Sequence, residues 1–413
     1  MKQKIRWRTP SEMLDKIFLN KIFAIPIFVL IMFGVYFLSV GVVGEYTKDK
    51  VEILVEVISN SVSQILENME MANWVQSLIV DGIMQGVGSV LSFVPQLIIL
   101  FLCISILETS GYMARIAFLL DKIFRKIGLS GKALIPFIVG SGCSVPGIMS
   151  TKIIENDDER KMTSALVPFI PCSAKLPIIA LFSGYFFEEY AGLVSASLYF
   201  LAIIVIILSA KIMSKFVFVD TSSTFILELP EYKLPDAKYV IKDVWEKTIS
   251  FVKRAGSVIL CSSIVVWFLL SFSTKLEYGV QIDESILATI GKKISWILYP
   301  MLGVNSWEAT VSCLQGLIAK EQVISSMSII SGLSESEMGS SIFAQGATFG
   351  FFTPISAYAY TVFNLFSAPC VAAIGAMKKN LGGFSKMILA IIYQTFVAWI
   401  LATFIYNFYC FFC

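Results

Sequence analysis

The chain contains no histidine, and only 15% of its residues are charged. Without imidazole, metal binding, proton relay and general base chemistry lose their commonest side chain. Any transition-metal ligand must then be a thiolate, carboxylate, thioether, hydroxyl or carbonyl. No dense basic tract is present and the formal charge is +2 over 413 residues, so no nucleic-acid partner is expected. No convincing nucleophile–base pair stands out, which argues against an enzyme. What the chain does have is apolar surface: 56% of it is hydrophobic and the mean hydropathy is +0.78. Several apolar runs reach the roughly 20 residues needed to cross a bilayer. The composition predicts an all-α polytopic membrane protein in contact with lipid.

Charge distribution predicts the topology. Lys2, Lys4, Arg6, Arg8, Lys16 and Lys21 make residues 1–21 basic, ahead of an apolar run over 22–43. That run is too long for a signal-peptide core and reads as a retained span. The positive-inside rule then puts the amino terminus in the cytoplasm. Residues 44–86 are acidic and amphipathic and fit the outer face. Further spans are expected at about 87–107, 193–212, 256–272, 311–331, 341–363, 366–377 and 385–408. Between them, Pro230 and Pro235 mark a linker, and residues 239–253 read as an amphipathic helix lying on the membrane surface.

Two stretches carry the chemistry: Gly140-Ser141-Gly142-Cys143-Ser144-Val145-Pro146 and Pro171-Cys172-Ser173-Ala174-Lys175-Leu176-Pro177. A proline inside a helix frees the carbonyl four residues before it. Pro146 would release Gly142 beside Cys143, and Pro177 would release Ser173 beside Cys172. Free backbone at membrane depth is tolerated only against protein or a cavity. Each break thus predicts a thiol and a free carbonyl oxygen for a metal cation. The second half echoes the first. Ile127-Gly128-Leu129-Ser130, the first break and Pro171-Cys172 correspond to Leu302-Gly303-Val304-Asn305, a helix with Gly316, Lys320 and Glu321, and Pro369-Cys370. Broken segments in corresponding halves point to a transporter site, so Cys370 joins Cys143 and Cys172 as a candidate ligand.

Charges in apolar runs are the other candidates. A charge at the bilayer centre costs about 2.5–3.5 kcal/mol on the insertion scale. Glu108 and Arg115 flank a break at Gly111, and Lys320 and Glu321 lie beside an apolar stretch; all four are expected on the path or near an interface. Glu108 would strip water from an incoming cation. Met113, Met149 and Met162, with Cys103, Cys261 and Cys313, read as packing residues. Cys410 and Cys413 could clamp a metal or form a disulfide, and the sequence leaves their role open.

In these features the chain resembles the membrane part of the bacterial ferrous iron transport protein B (FeoB) family. The matching stretches include Phe93-Val94-Pro95-Gln96, Leu107-Glu108-Thr109-Ser110-Gly111-Tyr112-Met113-Ala114-Arg115, Gly128-Leu129-Ser130-Gly131-Lys132, both cysteine motifs, Glu228-Leu229-Pro230, Ala319-Lys320-Glu321 and Pro369-Cys370-Val371-Ala372-Ala373-Ile374. The resemblance implies two inverted Gate repeats, at 87–215 and 245–408. Around them lie a cytoplasmic segment (1–21), a first helix with an acidic extracytoplasmic segment (22–86), a cytoplasmic linker (216–244) and a cysteine-containing tail (409–413). It implies Fe(2+) as transported substrate in a bacterial inner membrane, small cytoplasmic accessory proteins and a homo-oligomer. Members normally carry a GTP-binding domain with a G-x-x-x-x-G-K-[ST] loop. The nearest approach here, Gly128-Leu129-Ser130-Gly131-Lys132-Ala133, lacks the spacing and the hydroxyl. The chain is therefore expected to bind no GTP and to act with such a domain, in cis in a longer protein or in trans. A transporter of another divalent metal or of a nucleoside-like solute, and a non-transporting scaffold, are the alternatives.

Overall fold

Along the final helix, Phe396, Ile400, Phe404 and Phe408 stand exposed at four-residue spacing, while Ala390, Gln394, Ala398 and Ala402 are buried. Large apolar groups outside and small or polar ones inside are what lipid solvation asks of a helix. The computed structural model describes residues 23–216, 232–233, 235–332, 341–344 and 346–412. The basic segment 1–21, Glu228-Leu229-Pro230 and Cys413 lie outside the described residues.

Helix α1 (Ala24–Tyr36) passes through a π-helical turn at Phe37–Val42 into α2 (Val43–Asn68). A short helix at Asn73–Ser77 and a second π turn, Leu78–Met84, lead into α3 (Gln85–Thr109). Then come α4 (Tyr112–Arg125), α5 (Leu134–Gly142), α6 (Ser144–Ser150), α7 (Asp157–Leu166), α8 (Leu176–Phe187) and α9 (Ala191–Phe216). Helix α10 (Ala237–Phe251) runs through a third π turn, Val252–Gly256, into α11 (Ser257–Ser271). The rest are α12 (Ile286–Ile294), α13 (Trp307–Gln315), α14 (Gln322–Ser331), α15 (Pro354–Phe366), α16 (Val371–Leu381) and α17 (Phe384–Phe412). Among the described residues there is no strand, only two isolated bridges.

Among the described residues, four helical stretches, Pro26–Asn68, Asn73–Thr109, Asp157–Lys215 and Phe384–Phe411, are long and apolar enough to cross a membrane. Helices α15 and α16, bent by 42° at their junction, make a fifth if counted as one span. The fold is an all-α, multi-pass membrane architecture.

Several expected spans take a different form. The run 311–331 is two helices, α13 and α14, separated at residues 316–321. The run 341–363 becomes helical as α15 only from Pro354, because Thr353 caps that helix in a reciprocal box with Ser356. The helix expected over 239–253 forms as α10, but its stripe of Val240, Val244 and Phe251 is buried in the main core and packs on α3. Its opposite side leaves Tyr239, Ile241 and Trp245 exposed.

The two halves do share local structure. Gly128 and Gly303 both adopt left-handed φ, +83° and +73°, ahead of a helix pair. In the first pair the chain folds back on itself. A Cβ placed on Gly147 would lie 2.6 Å from Cα of Gly140 and 3.0 Å from the carbonyl oxygen of Pro136. On one straight helix residues 136 and 147 would be about 16 Å apart at 1.5 Å per residue. Helices α5 and α6 are therefore the two arms of a hairpin turning at Cys143. Helices α13 and α14 also pack on each other, and a Cβ on Gly316 would meet Val323 at 2.5 Å. Arms of seven to ten residues reach about 10–15 Å, a third to a half of a ~30 Å hydrocarbon layer.

Bonds from buried or half-buried polar groups join the halves. Lys175 Nζ donates to the carbonyl of Leu365 at 2.5 Å, Asn380 Nδ2 to that of Ile148 at 2.6 Å, and Gln394 Nε2 to that of Ala165 at 2.7 Å.

Candidate functional site

The hairpin tips and the breaks in α15–α16 and before α8 enclose one cavity of about 90 Å³. Water needs about 10–15 Å³ on this measure, so an ion and some waters fit. Cys143, Cys172 and Cys370 line it, together with Gly142, Ser173, Lys175, Lys320 and Glu321. Cys172 is buried and the other two thiols are half-buried. Each of the three sits at a helix start rather than inside a helix. Cys143 is extended (φ −150°, ψ 131°) before α6, Cys172 (φ −100°, ψ 170°) precedes the tight turn Ser173–Lys175 leading to α8, and Cys370 caps α16.

The prolines work differently from the sequence expectation. Pro146 is the third residue of α6 and Pro177 the second of α8. Proline is tolerated in the first turn because its missing N–H has no intrahelical acceptor there. The breaks come from the extended cysteines. The two carbonyls expected to be free are both engaged: Gly142 accepts from Ser173 Oγ at 2.9 Å, and Ser173 from the Leu176 N–H. A carbonyl has a second lone pair, so Gly142 keeps acceptor capacity beside Cys143. Gly142 packs closely on Leu100, whose Cδ2 would have to shift to admit a Cβ, which would lie 2.6 Å from it. Gly140 is held against Val167 in the same way and does not line the cavity.

The second tip is built on a backbone bond: the Val371 N–H donates to the carbonyl of Ile318 at 3.2 Å. It presents Lys320, whose Nζ donates to Ser367 Oγ at 3.2 Å, and Glu321. Lys175, which sequence reasoning did not single out, is fully buried. Its Nζ reaches the carbonyls of Pro168 (2.8 Å), Ile170 (3.5 Å) and Leu365 (2.5 Å). A lysine flanked by two prolines in an apolar run was the available signal. Ser39 was also missed. It is fully buried in the first π turn, lines the cavity, and its hydroxyl has no hydrogen-bond partner among the described residues.

Two candidates lie elsewhere. Glu108 is outside the thiol cavity, on the wall of a neighbouring one of about 290 Å³ that Pro146 also lines, with Lys247 Nζ 3.5 Å from its Oε2. Arg115 is buried with its guanidinium 3.6 Å from the Tyr232 ring and Nη1 bonded to the Gly111 carbonyl. Cys313 donates to Asn364 Oδ1 at 3.5 Å, Cys103 packs on the core, and Cys261 and Cys410 are exposed. Met113 and Met162 are buried in packing clusters. Among the described residues, no three cysteine, aspartate or glutamate side chains converge closely enough to hold a metal as they stand. The thiols surround a chamber rather than close a tetrahedron.

Such a bundle, with two folded-back hairpins whose tips line one chamber, defines an all-α, multi-pass membrane protein. The Gate model, described as "Nucleoside recognition", matches residues 90–186 and 252–384, and the model "Ferrous iron transport protein B C terminus" matches 195–247. The chain is 40% identical to the Fe(2+) transporter FeoB of Staphylococcus aureus (strain MSSA476) over 96% of its length and 59% of that protein. It is 37% identical to the Fe(2+) transporter FeoB of Methanocaldococcus jannaschii over 84% of its length and 52% of that protein. A third relative, the Fe(2+) transport protein A/Fe(2+) transporter FeoB fusion protein of Porphyromonas gingivalis, is 34% identical over 97% of this chain and 52% of its own. The chain thus spans between half and three fifths of these relatives. No solved structure matches it. The chain belongs to the ferrous iron transport protein B family and corresponds to its membrane part.

Proposed function

We propose that this chain is the permease module for ferrous iron import across a bacterial inner membrane, with its amino terminus in the cytoplasm. The observation that carries the reading is the convergence of Cys143, Cys172 and Cys370 with Glu321, Lys175 and Lys320 on one enclosed chamber. Once a metal displaces the thiol protons, three thiolates and one carboxylate set against two ammonium groups would leave two negative charges, the complement of one divalent cation. Thiolates favour ferrous iron over magnesium or calcium. The lysines oppose a bound cation and keep binding weak enough for release. A chamber of about 90 Å³ is well below the roughly 300–1,000 Å³ of small-molecule pockets, which disfavours a nucleoside-sized solute.

The two halves, 87–215 and 245–408, act in this reading as inverted Gate repeats whose hairpin tips meet near the midplane. A divalent cation moving inward gains about 2.3 kcal/mol per charge per 100 mV, so the membrane potential supplies the drive. A GTP-binding domain, in cis in a longer protein or in trans, would open the path rather than push the ion. Accessory protein partners fit the fusion seen in one relative, whose name joins Fe(2+) transport protein A to FeoB. Uptake of Fe(2+) into vesicles bearing wild type, Cys143→Ser and Cys172→Ser, with the GTPase domain supplied, tests the reading. Loss of uptake in both variants is expected; wild-type uptake in both would overturn the thiol path.

A further inference from the structure

Three cavities are stacked along α3. The first, about 500 Å³, touches Gly88, Ser92 and Phe93 and is acidic, with Glu52, Glu56 and Asp81 on its wall. The thiol chamber follows along Val90–Leu100, and the cavity of about 290 Å³ touches Phe101, Ile104 and Glu108. From Gly88 to Glu108 the helix rises about 30 Å, the thickness of the hydrocarbon layer. Neighbouring cavities share walls. Phe93 and Glu321 separate the first from the thiol chamber, and Val145 and Phe251 separate the chamber from the third. An apolar constriction blocks ions by excluding water.

The second partition belongs to α10. Phe251 is its last residue, next to the π turn Val252–Gly256; such turns are frequent at functional sites and kinks. One turn earlier, Lys247 Nζ lies 2.7 Å from Asp243 Oδ2 and 3.5 Å from Glu108 Oε2. Two carboxylates from different helices therefore face one ammonium in the third cavity. Resting on the transport reading above, we infer that α10 is the inner gate. Phe251 against Val145 closes the thiol chamber, and Lys247 is a tethered cation in a second, carboxylate site formed by Glu108 and Asp243. A divalent ion leaving the thiols takes the place of that ammonium between Glu108 and Asp243. Glu108 thus serves the ion's departure and not its initial dehydration.

The test is thiol accessibility in sealed vesicles bearing the full chain. A membrane-impermeant methanethiosulfonate is pulsed from one face, and peptide mass spectrometry reads Cys143 and Cys172. From the α10 face, Phe251→Ala should label both about tenfold faster than wild type as the dry barrier is lost. Phe251→Leu should stay near wild type, and labelling from the opposite face should not change. With Mn2+ as probe, Lys247→Met should gain an additional bound ion that a further Glu108→Gln removes. An unchanged rate in Phe251→Ala, an equal rise from both faces, or no additional Mn2+ in Lys247→Met overturns the inference. Labelling needs no metal. A gate that opens as expected while Cys143→Ser still takes up iron would therefore remove the iron reading and leave the gate standing.

Discussion

The two hairpins have similar arms and different tips. The first turns at a single extended residue, Cys143, and its carbonyl neighbour is tied by the Ser173 side chain. The second turns through residues 316–321, tied by a backbone bond to Val371, and carries Lys320 and Glu321 instead of a thiol. In the proposed function one tip would supply a soft ligand, and the other the charge that sets how strongly a cation is held. Repetition built the chamber, and divergence of the tips gave it opposed chemistries.

The largest effect expected from breaking this division is at the first tip. Loss of an outer partner of a metal ligand typically costs 10–100-fold in affinity. Cys143→Ser, which removes a ligand itself, should lower Fe(2+) affinity by at least about that range, while Cys313→Ser, hydrogen-bonded to Asn364 away from the chamber, should leave it unchanged. Equal losses in both would mean that the thiols matter only for packing. Because thiols lose a proton on binding metal, affinity should also rise with pH in wild type. That slope should flatten in Cys143→Ser, as titration with a reporter ion would read.

The two buried lysines sharpen the comparison. Lys175 holds three carbonyls from two halves, whereas Lys320 holds one hydroxyl. Hydrogen bonds to charged groups contribute about 1.5–3 kcal/mol each. Lys175→Met should therefore lower stability in detergent by about 3 kcal/mol or more. Lys320→Met should cost less than about 1.5 kcal/mol and hold Mn2+ roughly tenfold more tightly, since one opposing charge is gone. Thermal unfolding and ion binding separate the two. A similar stability loss in both would mean that Lys320 is a strut as well.

Part of this was legible in the sequence because charges and helix breaks are costly within apolar runs. The all-α class, the cysteines and the Lys320–Glu321 pair were all visible as interruptions in apolar runs. The fold-back was not visible. Pro146 has the same sequence neighbourhood whether it kinks one helix or starts another, and only the extended Cys143 decides. Ser39 was hidden for a related reason: a serine in an apolar helix usually bonds its own backbone, and nothing local marks one that faces a cavity. Helix α10 reads as amphipathic because Lys238, Lys242 and Glu246 are exposed opposite Val240 and Val244, and the sequence does not tell whether that apolar stripe faces lipid or the core, where it lies. Arg115 looked like a path residue, but the aromatic face that holds it, Tyr232, is more than a hundred residues away in sequence.

The effect expected at Ser173 is confined to the first tip, and it distinguishes how the tips are held. Its hydroxyl bonds the Gly142 carbonyl, so Ser173→Ala leaves a buried acceptor unpaired at about 1–3 kcal/mol. Ser173→Thr keeps the hydroxyl and should recover most of the loss. If the bond also orients Cys143, Ser173→Ala should change labelling of Cys143 more than that of Cys370, because the Cys370 side is tied through the Val371 and Ile318 backbone and is untouched. Equal changes at both thiols would mean that the tips move as one body. The side-chain tether of the first hairpin would then have no role of its own.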